Sequence, residues 1–448
     1  MRRPGLLALL GLSWPIMVSR STQVVVGLSD ALLVADLGKA ALAATTTGSL
    51  NAFAVLVFFM GTVFIVSSFA SQLCGKGDLV GARRYAFYGL AIAAATQIAC
   101  LVAQPFVPWI VERLDFEPAV RSLMSDYLVV RLWSGGAAIG LEALANYYGG
   151  LSRPRLPMIA SISAMVLNVL GNWALIHGRW GAPAMGVKGS ALASTLATSV
   201  AFAGLLLVFA WEGRGFERPR LKWSEFVRVL RFGLPSGFNW CLEFFAYNFW
   251  VNVVMVGLGT TAVAAMMAVM QLNSTSFMPA FGMASGGAIL VGQAIGADQR
   301  DQVPSVVKLT FSAAAVWQGI VGLAYVFMPR MLLSPLAPAD DRSAFLQVGT
   351  RILVLSAAWQ LFDAAVNTTG EALRAAGDTT FLLAARVAVA WLIFVPGSYV
   401  SVRVWHWGPL GAASWLMAYL VLLAVLLYLR FRGGAWRSLQ LVEATLEG

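Results

Sequence analysis

Residues 363–374 read DAAVNTTGEALR, and residues 142–153, 221 positions earlier, read EALANYYGGLSR. The second stretch answers the first, and three more pairs keep the register. LSWPIM at 12–17 answers FGLPSG at 232–237, SQLCG at 71–75 answers GQAIG at 292–296, and GVKGSALAS at 186–194 answers GPLGAASWL at 408–416. The offset stays between 220 and 222 across all four pairs. Chance does not hold such a register, so the chain is an internal duplication, and its two halves share one architecture.

What each half is follows from polarity. Of 448 residues, 59% are hydrophobic and 12% charged. A soluble domain carries about twice that charged fraction. Apolar runs of roughly 20 residues recur along the whole length, which is the signature of a polytopic α-helical membrane protein. The alternating ten-residue segments of an outer-membrane barrel are not seen. The spacing predicts twelve spans, at 7–34, 44–70, 85–110, 126–148, 157–176, 187–210, 229–257, 261–295, 304–327, 345–369, 379–401 and 411–430. The fold class is therefore an all-α integral membrane protein of twelve transmembrane helices in two six-helix lobes. The expected boundaries are residues 1–210, a cytoplasmic linker at 211–228, and residues 229–448. Six spans is an even number, so both halves enter the membrane the same way. They are expected to be related by a pseudo-twofold axis along the membrane normal, with a shared site near the midplane.

The net charge is +10. These charges sit between apolar runs, so they read as topology signals and not as a nucleic-acid surface. With the N-terminus inside, inner segments hold about twice as many Lys and Arg as outer ones, Arg2, Arg3 and Arg386 counted among the inner set. Both termini are then cytoplasmic. The start, MRRPGLLALLGL, imitates a signal peptide, but the apolar run continues past Pro15 and reads as a retained first span. Cys74, Cys100 and Cys241 form no C-x-x-C pair and the two His form no cluster, which argues against a zinc or redox site. No nucleophile–base motif or phosphate-binding loop appears, so no enzyme and no cofactor are expected.

Four carboxylates lie inside the spans: Asp30, Glu142, Glu243 and Asp363. An acid at membrane depth costs about 2.5–3.5 kcal/mol on insertion scales, so it points to function. Glu243 lies about 17 Å into its span and Asp363 about 20 Å into its own, both near the middle of a core of about 30 Å. Asn239 and Tyr247 flank Glu243 at i−4 and i+4, and Asn367 follows Asp363 by four. Carboxylate and amide oxygens at one depth suit a hard cation such as Na+, or a proton. A structural contact between helices is the alternative. Gln23 is the repeat counterpart of Glu243. Asp30 stands further out on the same span, either as a functional acid or as a link between helices. Glu142 is either a site residue or the partner of Arg20, the one cation read as deep in span one. Asn168 and Asn172 share a face of span five and line a cavity or bond between helices. Pro15 and Pro235, matched across the halves, mark kinks, static or hinge-like.

These residues resemble a known family. WPIMVSRSTQVVVGLSDALLVADLG, RFGLPSGFNWCLEFFAYN and FDAAVNTTGEALRAAGDT are similar to helices one, seven and ten of multidrug and toxic compound extrusion (MATE) transporters. The segment SRPRLPMIASISAMVLNVLGNWALIHGRWGAPAMGVKGSALAS looks like helices five to six of the NorM-like branch. The resemblance implies a secondary antiporter of the inner membrane, acting as a monomer. It would export cationic, often aromatic drugs by alternating access, in exchange for Na+ or H+. It implies ion coupling by Asp30, Glu243 and Asp363, with Na+ on Glu243 and Asp363 as the candidate metal site. Asn168 and Asn172 match cavity asparagines of the family; on the residue reading, Gln23, Glu142, Asn239, Tyr247 and Asn367 are added as expected lining of the substrate cavity. NorM-like proteins carry an Arg just past the middle of helix four, where this chain has Ala145 and Asn146; Arg20 and Glu142 stand outside the pattern. A lipid-linked oligosaccharide flippase of related architecture is the alternative. It calls for several cationic side chains around a phosphate.

Overall fold

The computed structural model describes residues 5–215, 220–338 and 341–442, and these contain helices and no strand. Twelve long helical segments follow one another: α1 Leu6–Ala35, α2 Lys39–Lys76, α3 Leu79–Val111, α4 Pro118–Gly150, α5 Arg155–His177, α6 Val187–Gly215, α7 Trp223–Leu258, α8 Thr260–Gly296, α9 Arg300–Phe327, α10 Arg342–Ala376, α11 Thr379–Arg403 and α12 Gly408–Arg432. Each coincides with one expected span. At 1.5 Å per residue all are long enough to cross about 30 Å of hydrocarbon.

Local chemistry sets where they stop. Gly77 ends α2 and Gly377 ends α10, both with left-handed φ (82° and 96°) that a side chain disfavours. At each, the next residue's N–H reaches back to the C=O of Leu73 or Leu373 (2.9 Å in both), closing the helix end. Asp78 then caps α3, its carboxylate accepting from the Gly81 N–H at 2.6 Å.

The expected 211–228 linker shrinks, because α6 runs on to Gly215 and α7 begins at Trp223. What remains is held down: Tyr88 accepts the Lys222 N–H at 2.8 Å, and Arg84 pairs with Glu225 at 3.1 Å. Residues 216–219, like Arg2 and Arg3, lie outside the described residues.

The chain forms two compact units, and they are not the two halves of the sequence. One is Val18–Gly237; the other is Met1–Met17 with Phe238–Gly448. The first part of α1 thus packs with the later helices, and the first part of α7 with the earlier ones. Glycines make both contacts close. A Cβ on Gly282 of α8 would lie 2.5 Å from the Met17 side chain, and one on Gly286 would lie 2.4 Å from Ser13 Oγ. In the other unit, a Cβ on Gly233 of α7 would lie 2.7 Å from the Thr62 carbonyl of α2, and one on Gly237 would lie 2.5 Å from the Phe58 carbonyl. Small residues four apart are the usual means of bringing helix backbones together in lipid. The exchange occurs at the same point of each repeat, two residues after Pro15 and after Pro235.

Candidate functional site

Two polar clusters interrupt the apolar interior of the Val18–Gly237 unit. In the first, α1 brings Asp30 against α5 and α6. Asn172 donates to Asp30 Oδ1, and Ser194 Oγ lies 3.5 Å from Oδ2. Asn172 also donates to Asn168 Oδ1 (3.2 Å), and Asn168 to Ser194 Oγ (2.9 Å). Asp30 is 8% exposed and Asn172 not at all. Asp30 therefore belongs to an amide and hydroxyl network spanning three helices, and no cation is bonded to it among the described residues; Arg131 is its charged neighbour. The i, i+4 spacing of Asn168 and Asn172 made that pair legible. Ser194 and Arg131 carried no comparable signal.

The second cluster joins α1 to α4. Arg20 forms a forked pair with Glu142, at 2.7 Å and 3.4 Å, and Asn146 donates to the same carboxylate at 3.0 Å. The guanidinium also stands 5.7 Å from the Phe64 ring centre. Of the two readings open for Glu142, the ion pair is the one observed. Gln23 is exposed and lies in neither cluster.

In the other unit the acids meet a residue assigned elsewhere. Arg386 Nη1 lies 2.7 Å from Glu243 Oε2, and the Tyr419 hydroxyl of α12 donates to Glu243 Oε1 at 2.9 Å. Counted with the inner segments as a topology signal, Arg386 is in fact an interior side chain of α11, seven residues or about 10 Å past Thr379. Arg386 thus joins Arg20 as a cation within a span that pairs with a carboxylate. Asp363 on α10 accepts from Gln318 of α9 at 2.8 Å, and Arg386 and Glu243 are its electrostatic neighbours. It forms no ion pair among the described residues. Asn367 donates to the Asp363 backbone carbonyl at 2.9 Å. Asn239 is buried with its side-chain oxygen unpartnered; Tyr247 is 37% exposed, its ring 6.0 Å from that of Trp250. Gln318 was legible through the repeat, since Gln97 stands 221 residues earlier. Tyr419 was not.

Each unit therefore holds one carboxylate tied to an intramembrane guanidinium, Glu142 or Glu243. It holds another bonded to neutral side chains alone, Asp30 or Asp363. The Na+ expected on Glu243 and Asp363 does not fit this arrangement: both Glu243 oxygens are engaged, one of them by a positive charge. No group of three or more His, Cys, Asp or Glu able to hold a metal occurs among the described residues.

Comparison with known proteins agrees with the duplication. A family model described as MatE matches residues 15–174 and again 235–400, so the two matches begin at Pro15 and Pro235. A probable multidrug resistance protein NorM from Mesorhizobium japonicum is 28% identical over 451 residues, covering 96% of this chain and 94% of that protein. One from Pseudomonas putida is 26% identical over 448 residues, covering 97% and 95%. Among solved structures, a MATE in complex with MaL6 superposes with a TM-score of 0.88 at 18% identity, covering 98% of this chain and 99% of that one. The eukaryotic MATE transporter AtDTX14 superposes with a TM-score of 0.80 at 16% identity, covering 96% of each. At such identities the structures speak for the fold.

Proposed function

The chain belongs to the MatE family of membrane transporters, and from that premise we propose that it is an efflux antiporter of the inner membrane, expelling organic cations in exchange for a small cation. Asp30 carries the reading: a buried carboxylate bonded to neutral amide and hydroxyl groups is an acid that no cation pairs directly, Arg131 being only its charged neighbour. Such a group is costly at membrane depth, and the cost is relieved whenever an incoming ion neutralises it. Asp363, held by Gln318, repeats the arrangement. An organic cation and the coupling ion then compete for the same negative charge. Neutralisation from outside releases the drug, and the lobes alternate their access. An ion descending 100 mV supplies about 2.3 kcal/mol per charge, plus its concentration gradient.

The flippase alternative is disfavoured by the same geometry. Arg20 and Arg386, two of the cations within the spans, are each engaged by a carboxylate, and Arg131 stands next to Asp30. The test is ethidium efflux from everted vesicles energised separately by a pH gradient and a Na+ gradient. Asp30→Asn and Asp363→Asn are expected to reach the membrane in normal amounts and to lose ion-driven efflux. Undiminished efflux in both variants overturns the proposal.

A further inference from the structure

We propose that Arg386 is the resident occupant of the acidic site formed by α7, α10 and α11: a guanidinium tethered to the chain, standing where a transported alkali cation would stand, and closing that site to Na+. The inference deepens the exchange reading above, but it rests on packing that can be tested without transport.

The charges fix the argument. Glu243, Asp363 and Glu371 are the acids facing Arg386 from α7 and α10; Arg374 is the other cation, and Tyr419 faces the pair from α12. Glu371 is taken by Arg374 at 2.5 Å. Arg386 is left to Glu243, with Asp363 in electrostatic range. Two acids therefore share one built-in cation. A hard ion needs several oxygens around it. Here one Glu243 oxygen is bonded to the guanidinium and the other to a phenol, and any ion that approached would meet a fixed positive charge at a few ångströms.

The surroundings are shaped for this occupant. A Cβ on Gly370 of α10 would lie 3.4 Å from Arg386 Nη2, at the edge of ordinary van der Waals contact with the guanidinium. Both helices carry a stretch of wide helical turn further along the chain from the pair, at Trp250–Val254 of α7 and Val389–Phe394 of α11. Two indoles bind the same two helices together: Trp391 Nε1 donates to the Leu242 carbonyl (3.2 Å), and Trp250 Nε1 to Ser398 Oγ (2.8 Å). Such wide turns recur at functional sites. Here they lie on the two helices that carry the ion pair, with 17% of the Arg386 side chain and 38% of the Glu243 side chain exposed.

Removing the tethered cation should create the Na+ site that it fills. The measurement is thermal unfolding of the purified full-length protein in NaCl against N-methylglucamine chloride at equal ionic strength. The native chain and Glu243→Gln should show the same response to Na+. Arg386→Met should gain a Na+-specific stabilisation of a few degrees at saturating Na+, and Glu243→Gln added to Arg386→Met should abolish the gain. Arg386→Lys, which keeps the charge, should gain none. A Na+ shift in the native chain that Glu243→Gln removes overturns the assignment, whether or not Arg386→Met can be purified. So does an Arg386→Met protein that folds and ignores Na+. Because the readout is ion binding, loss of this inference leaves the efflux reading intact, and the converse holds as well.

Discussion

Arg20 and Glu142 show what one residue can and cannot reveal. The pair is buried, with 16% and 10% of the side chains exposed, and forked, with Asn146 completing the carboxylate's bonds. Removing one partner of such a pair strands a charge in a medium that cannot solvate it. Arg20→Met or Glu142→Gln alone is therefore expected to cost about 3 kcal/mol of stability, while the double variant recovers most of the loss. Thermal unfolding of the four proteins in detergent checks this; equal losses in the single and double variants contradict it. The residues that could be read from sequence were those whose chemistry is improbable at their place. Acids inside apolar spans announce themselves, and so do two Asn on one helical face. Arg386 was missed for the opposite reason. A cation a few residues inside a span has a routine explanation as a topology signal, and nothing in its neighbours distinguishes that from a partner for Glu243.

Among the helices, glycine decides which pairs pack closely. A Cβ on Gly189 of α6 would lie 2.5 Å from the Leu175 carbonyl of α5, a backbone atom that has no rotamer to yield. Gly204, further along α6, would meet nothing within 4 Å. Gly189→Ala should therefore destabilise by about 1–3 kcal/mol, whereas Gly204→Ala should be neutral or slightly stabilising, as expected for Gly replaced within a helix. The comparison is made by unfolding the two variants side by side, and equal behaviour refutes the packing argument. In composition the two positions are alike. Only the register of α5 against α6 separates them.

At the scale of the whole molecule, the two compact units trade their leading segments: of the described residues, 5–17 pack with the later helices, and the segment of α7 up to Gly237 with the earlier ones. A chain cut within 216–219 gives two fragments, each lacking a helical end that its core needs. Expressed alone, each fragment is expected to be degraded. Co-expressed, they are expected to accumulate together in the membrane, read by immunoblot of each fragment. A stable lone fragment argues that the exchanged ends contribute little. The duplication itself was plain from four matched segments, and the family model, matching twice, follows it. The exchange was not, because it breaks the rule that a repeat in sequence is a unit in space.

The sequence by itself determined the solvent, the number of crossings, the duplication, and the four carboxylates inside the spans. Each of these is a property of one segment measured against lipid: an apolar run must span, and a carboxylate within it must be compensated. Tertiary structure alone decided the compensation. Asp30 is met by amides, Glu142 and Glu243 by guanidinium groups from other helices, and Asp363 by Gln318. The physical reason is that desolvation is a cost a residue carries from its own segment, whereas relief comes from whichever helix is packed against it. Sequence separation places no bound on that choice: Glu243 and Arg386 are 143 residues apart and 2.7 Å from each other.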